Sequence, residues 1–351
     1  MIAFILLIVI LGVLIFVHEA GHFIAAKKNG AYVYEFSLGM GPKLFGWKRE
    51  NDETDYSIRL FPIGGYCAIA GEISEDDGFG KKLKKNQYMC NKTIPQRCII
   101  LIAGVCMNFL TGFLLLFISA LIWGSVNQTT IVGSAPKNYP VSEAGIEVGD
   151  KILKIDNKKV GSWDTIILRL NLKTKGNYHT FEVEKQNGEV KTYTIKPKKV
   201  KDKDGNESVV YGIGQDATKQ RGIISSLKYA FIKTGAIIKS MWLIIGNLIN
   251  GNLSLSALSG PVGVYTVVGQ AAKTSIESVI YLTAYLSINL GFINILPIPA
   301  FDGGHVLFLI IEGIRKKKLN PKIAGYVNLV GFALIMLLMI IITIKDILNL
   351  F

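Results

Sequence analysis

The chain has 351 residues, of which 50% are hydrophobic and 19% charged, and it carries a formal net charge of +13. This composition, with its long apolar runs, excludes a single soluble domain and indicates several membrane spans together with a polar domain. The positive charge does not predict nucleic-acid binding, because no recognition motif accompanies it and because lysine and arginine also concentrate beside membrane spans. We therefore predict that the chain has the lipid bilayer as a partner and does not bind nucleic acid.

The first predicted element is a membrane span over residues 1–25, a nearly unbroken apolar run that carries His18, Glu19 and His22. On a helix, histidines at positions i and i+4 share one face and can bind one metal ion. The neighbouring glutamate can then act as the base for a metal-bound water. Ionisable groups inside a span are costly and usually functional. The pattern therefore predicts hydrolysis inside a bilayer.

Residues 26–97 alternate apolar and polar side chains with glycine-rich turns and then become charged, which predicts β hairpins followed by a loop at 72–96. The hairpins are either a plain cytoplasmic structure or a sheet that dips into the membrane. The second arrangement requires that protein covers the backbone polar groups or that another strand pairs with the edge.

Three further spans are predicted at 98–124, 278–300 and 326–350. Asn108 lies within the second span and needs a polar partner at that depth. Lysine and arginine are abundant between spans one and two and in the predicted loop 301–325. Both connections are therefore predicted to be cytoplasmic, with both chain termini outside.

The connection between spans two and three contains a small α/β or mostly-β domain at 126–214, predicted to lie outside the cytoplasm. His179 belongs to this domain and is expected to be an ordinary surface residue. The segment 221–275 contains an apolar helical stretch that could be a fifth span. We predict an interfacial helix instead, because Lys233 and Lys239 would each cost about 2.5–3.5 kcal/mol in the hydrocarbon.

A catalytic zinc site needs three protein ligands and one open position. Asp302 is a candidate third ligand, because prolines before it and glycines after it allow the helix to break and turn a carboxylate inward. Spans one and three also run in the same direction, which brings His22 and Asp302 to the same side. His305 is the alternative ligand.

At these motifs the chain resembles bacterial site-2 proteases, which are intramembrane zinc metalloproteases, of the type that carries an extracytoplasmic PDZ domain. The resemblance implies that His18, His22 and Asp302 bind Zn²⁺ and that Glu19 is the catalytic acid and base. It also implies that the glycine-rich strands form a membrane-dipping sheet near the active site. The residues implied to bind substrate are Asn294, Gly64 and Gly65. The resemblance covers nearly the whole chain and rests on residues 18–22, 38–42, 64–66, 259–263 and 294–302.

Two positions depart from the family pattern, since Phe301 stands where leucine is usual and Val105 where proline is usual. Residues 141–153, followed by Ser162 and Trp163, resemble the corresponding part of PDZ domains. Such a domain either binds extended peptides by strand addition or excludes bulky substrates by size.

The predicted fold is a polytopic α-helical membrane protein with four transmembrane helices, a membrane-associated β-sheet and an inserted extracytoplasmic PDZ domain. Its predicted location is the bacterial plasma membrane, with the active site towards the cytoplasm. The predicted function is intramembrane zinc metalloendopeptidase. The resemblance implies that its substrates are single-span membrane proteins such as anti-sigma factors or remnant signal peptides. The alternatives are a membrane-anchored PDZ peptide-binding scaffold without catalysis and a transporter, although the inverted repeat of a transporter is not apparent.

Overall fold

A computed structural model of the chain describes residues 2–72, 79, 82–126, 128–172, 177–201, 207–253 and 258–348. The chain divides into two compact units, residues 1–115 with 258–351 and residues 116–257. We call these the helical unit and the inserted unit. The predicted loop at 72–96 is described except at residues 73–78, 80 and 81, and its described part contains two short 3₁₀ helices, Lys85–Gln87 and Met89–Asn91.

Long apolar helices dominate the described chain, and five of them are long and apolar enough to cross a membrane. The predicted number of spans was four, so the structure has one candidate more than predicted. The additional helix is Ile223–Ile249, which was assigned to the interface because of its lysines. Within the inserted unit, Lys233 is nearly buried and its Nζ lies 2.7 Å from Asp164 Oδ1, so its charge is paired and does not exclude an apolar environment. The helices are α1 Ile2–Lys28, α2 Ile94–Trp123, α3 Pro140–Glu143, α4 Trp163–Leu170, α5 Ile223–Ile249, α6 Pro261–Thr274, α7 Ile276–Ile295, α8 Asp302–Arg315 and α9 Pro321–Leu348.

Helix α8 occupies much of the region predicted as the loop 301–325, and that prediction was wrong. The apolar run that follows Gly303 and Gly304 is too short to be predicted as a span, but one of its faces is buried. Leu309 is buried in a cluster with Ile100 and Leu101 of helix α2. The run therefore forms an amphipathic helix that packs against helix α2.

The β-sheet of the helical unit is built from two long, bent strands, β1 Val33–Lys48 and β2 Asp55–Ile69. Phe36 of β1 pairs with both Tyr56 and Cys67 of β2, so residues 35–38 lie between the two halves of β2. The half at 65–69 is an edge. Its Cys67 N–H does not point to β1 but donates to Glu19 Oε2 at 3.1 Å, so this edge faces helix α1.

The surface of the helical unit is apolar where a soluble protein would be polar. Large side chains are exposed along α1 and α9, and at the far end of the sheet Phe45 and Phe61 are 62% and 56% exposed. Asn108 and Ser287, in contrast, are fully buried. This inverted distribution fits helices whose outer faces contact lipid and whose polar groups must find partners inside the protein.

The motif at residues 259–263 forms the start of helix α6. Asp346 of α9 accepts hydrogen bonds from Gly260 N at 2.7 Å and Gly263 N at 2.8 Å. A carboxylate at a helix N-terminus satisfies free N–H groups and interacts favourably with the helix dipole. The motif therefore joins α6 to the last long helix.

The inserted unit has a conventional globular interior. Four strands form an antiparallel sheet in the order β6 (Lys158–Lys159), β5 (Lys151–Ile155), β7 (His179–Glu184) and β8 (Val190–Ile195). This sheet packs with helix α4 around fully buried Ile152, Ile166 and Phe181. His179 is also buried, at 2% exposed, with Nδ1 2.6 Å from Asp156 Oδ2, so its prediction as a surface residue was wrong. The alternating pattern of β7 places it on the inner face. The strands of this unit are β3 Ser125–Val126, β4 Val132–Ser134, β5 Lys151–Ile155, β6 Lys158–Lys159, β7 His179–Glu184, β8 Val190–Ile195, β9 Lys198–Lys201, β10 Glu207–Val210, β11 Gly214–Gln215 and β12 Lys219–Gln220.

Candidate metal centre

Three side chains from α1 and the start of α8 meet inside the helical unit. His18 Nε2 lies 3.1 Å from His22 Nε2 and 3.1 Å from Asp302 Oδ2, and His22 Nε2 lies 3.4 Å from the same oxygen. Both histidines are at least 92% buried, being 7% and 8% exposed. In the described part of the chain, these three residues form the group of histidine, cysteine and acidic side chains that could hold a metal ion.

The spacing of the three atoms fits a zinc ion. Ligands at about 2.0–2.1 Å from a tetrahedral zinc lie about 3.3 Å from one another, close to the three distances observed. Asp302 Oδ2 is buried and makes no hydrogen bond to a described residue, although two imidazole nitrogens are close to it. Three ligand atoms that converge on one point suit a shared cation, because such a cation satisfies all of them at once.

Glycines in helices α1 and α2 let the two helices approach closely and leave space for the imidazoles. A Cβ added at Gly21 would meet the carbonyl oxygen of Ala103, and one added at Gly104 would meet the rings of His18 and His22. Both positions therefore require glycine for this approach, and they put α2 directly behind the two histidines.

The ring nitrogens that face away from the centre have partners on α2. His22 Nδ1 lies 2.8 Å from the carbonyl oxygen of Ile100. A carbonyl can only accept, so His22 Nδ1 carries the proton and its Nε2 presents a lone pair to the centre. His18 Nδ1 lies 3.0 Å from Asn108 Nδ2.

A strained turn brings Asp302 to the histidines. Helix α7 ends at Ile295, and Ala300 adopts a φ of +78°, a backbone conformation that residues other than glycine rarely adopt. Ala300 N donates to Asn328 Oδ1 of helix α9 at 3.2 Å, and a Cβ added at Gly331 would lie 2.6 Å from Pro299 Cβ. Helix α9 thus holds the turn at the conformation that directs Asp302 inward.

Glu19 lies between the two histidines in sequence and is half-buried. Its Oε2 accepts the hydrogen bond from Cys67 N at the sheet edge. Gly64, with φ +94°, and Gly65 precede this part of the edge, and a Cβ added at Gly65 would lie 2.5 Å from the carbonyl oxygen of Ser37. A carboxylate and a strand edge therefore lie next to each other beside the metal centre.

The other predicted residues lie outside the cluster. His305 Nε2 is 3.3 Å from Asn328 Nδ2, and His305 does not belong to the group that could bind a metal. Asn294 is partly exposed, one residue before the end of α7, and has no side-chain hydrogen bond to the described residues. The contacts of Asn108 and Asn328 were not predicted. For Asn108, the only sequence signal was a polar residue within an apolar span.

Comparison with known proteins agrees with this chemistry. Residues 6–338 match the family model described as Peptidase family M50. A Clostridium acetobutylicum protein provisionally named as a zinc metalloprotease is 38% identical over 336 residues, which cover 96% of this chain and 94% of that protein. Zinc metalloprotease RasP of Shouchella clausii is 32% identical over 418 residues, and Regulator of sigma-W protease RasP of Bacillus subtilis is 30% identical over 418 residues. Each alignment covers 98% of both proteins.

These matches confirm three predictions: the family, the metalloprotease class and the zinc cofactor. They cover both units and nearly the whole length of the relatives. The chain belongs to peptidase family M50, the site-2 proteases, and is a zinc metalloprotease.

Proposed function

We propose that the chain is an intramembrane zinc endopeptidase in which His18, His22 and Asp302 hold the zinc and Glu19 transfers protons. The observation that carries this proposal is the convergence of three lone-pair atoms at 3.1–3.4 Å between helices with apolar outer faces. A non-catalytic scaffold needs no such cluster, and burial of two histidines beside a carboxylate is costly without a function.

The chemistry follows from the donor set and from the position of Glu19. When bound, zinc would polarise the scissile carbonyl and lower the pKa of the attacking water. Glu19 lies next to His18 in sequence, and its carboxylate takes the proton from that water and passes it to the leaving amine. Its contact with Cys67 N keeps the carboxylate on the side of the sheet edge.

A transmembrane substrate must unwind before its carbonyl groups can react, because helical hydrogen bonds shield them. We propose that the freed segment pairs with the edge at residues 65–69, which begins beside Gly64 and Gly65 and contacts Glu19 through Cys67 N. Strand pairing satisfies backbone groups that lipid cannot. The exposed aromatic residues of the sheet support its insertion into the bilayer, and Asn294 is proposed to help hold the segment.

We further propose that the metal centre faces the cytoplasm and that the inserted unit lies outside, in the plasma membrane of a bacterium. In this orientation helix α5 lies at the membrane interface and does not cross the bilayer. Lysines and arginines concentrated after α1 and between α8 and α9 support this orientation. The proposed substrates are single-span membrane proteins, such as anti-sigma factors or remnant signal peptides. The name of the Bacillus subtilis relative, Regulator of sigma-W protease, supports the first of these classes.

We propose that the inserted unit is a PDZ-like domain over residues 126–214. A groove between helix α4 and the chain near Tyr211 supports this, since it is lined by Ile167, Leu170 and Ile213. An apolar groove beside a short strand suits an extended peptide. If the unit acts only as a size filter, a charge placed at Ile213 will leave cleavage unchanged.

The test compares Glu19→Gln and Asp302→Asn with the exposed control Glu50→Gln in purified full-length protein. Loss of proton transfer by Glu19→Gln should lower cleavage of a model membrane substrate by about 10²–10⁴-fold, while zinc content stays near one per chain. Asp302→Asn should lower zinc retention in elemental analysis. Retained cleavage by Glu19→Gln would reject its role, and unchanged zinc in Asp302→Asn would remove Asp302 from the ligand set.

A further inference from the structure

The side chain of Asn108 is a polar group inside an apolar helix that the proposed mechanism does not use. It is fully buried in α2. Two residues of α7 fix its surroundings. Ser287 Oγ donates to the backbone oxygen of Asn108 at 2.8 Å, and a Cβ added at Gly291 would lie 3.3 Å from Asn108 Cβ. The amide is thus held at one place, and its contact with His18 Nδ1 at 3.0 Å is set by the packing of two helices.

Nothing except His18 fixes the orientation of this amide among the described residues. Its nitrogen faces His18 Nδ1, and its oxygen has no hydrogen-bond partner there. The oxygen and the nitrogen of an amide occupy equivalent positions about its last side-chain bond. A half turn about the last side-chain bond exchanges them without moving other atoms. The tautomer of His18 therefore decides which end of the Asn108 amide faces the ring.

Zinc binding requires one of the two tautomers. His18 Nε2 points at the metal centre and must present a lone pair, so the proton must lie on Nδ1. That proton needs an acceptor. His22 has one in the carbonyl oxygen of Ile100. No carbonyl of a described residue is hydrogen-bonded to His18 Nδ1, and the amide of Asn108 is the group that contacts this nitrogen.

We propose that Asn108 is a positioning residue for His18, whose side-chain oxygen accepts the Nδ1–H hydrogen bond and keeps Nε2 free for zinc. The proposal rests on the proposed function, since it assumes His18 as a ligand. Asparagine suits the role because its side-chain oxygen can accept a hydrogen bond. It acts through His18 and has no direct part in the reaction.

The experiment measures zinc affinity by competition with a chelator in the full-length protein, in detergent, for four chains. These are the wild type, Asn108→Leu, Asn108→Asp and Asn289→Leu. Leucine removes the acceptor at similar volume, whereas aspartate keeps an acceptor and loses the amide donor. Asn289 of α7 is a matched control, because it is a partly buried asparagine whose Oδ1 has no partner among the described residues.

Asn108→Leu should bind zinc about 10–100-fold more weakly, while Asn108→Asp and Asn289→Leu bind it as tightly as the wild type. Unchanged affinity of Asn108→Leu would overturn the proposal, and so would a loss in Asn108→Asp, because a carboxylate is a sufficient acceptor. If Asn108→Leu does not fold, the Asn108→Asp result decides alone. A wild-type chain that binds no zinc would instead refute the proposed function.

Discussion

The two units of this chain treat buried polar groups in opposite ways. In the inserted unit the interior is apolar, and buried His179 pairs with one carboxylate, Asp156, and packs against Tyr211. In the helical unit the lipid-facing surface is apolar, and His18 and His22 converge with Asp302 on a single point. A buried histidine beside an aspartate is therefore not sufficient for a metal site. What distinguishes the centre is the convergence of three side chains that can each offer a ligand atom to one metal ion.

The largest effect is expected from a change that fills the space behind the histidines. Gly104→Val would place methyl groups where the rings of His18 and His22 lie, so both ligands must move. We expect loss of zinc and of cleavage, with the inserted unit still folded. Elemental analysis measures the zinc content, cleavage of the model membrane substrate measures the activity, and limited proteolysis measures the folding of the inserted unit. Gly235→Val is a control, because a Cβ at Gly235 meets no atom of a described residue within 4 Å. Normal zinc content in Gly104→Val would show that the rings are not confined as described.

The reciprocal change destabilises the inserted unit and leaves the metal centre intact. Phe181 is fully buried in the apolar core, and Phe181→Ala should lower the free energy of unfolding of that unit by about 3–5 kcal/mol. We expect a lower denaturant midpoint, measured by proteolysis within residues 126–214, and unchanged zinc content. Val190→Ala, at an exposed position, should change neither the denaturant midpoint nor the zinc content. Simultaneous loss of zinc in Phe181→Ala would mean that the units do not fold separately.

A smaller effect concerns the sheet beside the metal centre. Burial alone would raise the pKa of Glu35, but hydrogen bonds from Ser57, Tyr66 and Arg59 lower it below its ordinary value of 4.5. The carboxylate thus stabilises the sheet fully above pH 4.5, and this stabilisation is lost as the pH falls through the lower pKa of the folded state.

Glu35→Gln should therefore be less stable than the wild type at pH 7, and the difference should shrink as the pH falls below 4.5. Denaturant midpoints measured at several pH values test this expectation. A difference that is independent of pH would mean that the charge of Glu35 contributes nothing and that only its hydrogen bonds matter.

The sequence was informative where a local pattern and a chemical requirement coincide. The i, i+4 spacing of His18 and His22 inside an apolar run predicted a metal site, and the prolines before Asp302 predicted the turn that directs it inward. The contacts of Asn108 with His18 and of Asn328 with Ala300 join helices that are distant in the chain, and no local periodicity encodes them. Helix α8 was missed because its apolar run is too short for a span. The pairing of Lys233 in helix α5 could not be predicted, because its partner, Asp164, lies 69 residues away in the chain.

The most direct test of the central claim is X-ray absorption at the zinc edge of the purified, detergent-solubilised chain. The account predicts one zinc with two imidazole nitrogens at about 2.0–2.1 Å and a carboxylate oxygen at about 2.0–2.2 Å. Asp302→Asn should change this spectrum, and Glu50→Gln should not. A zinc bound by sulfur at about 2.3 Å, or a spectrum with a single imidazole, would contradict the assignment of His18, His22 and Asp302.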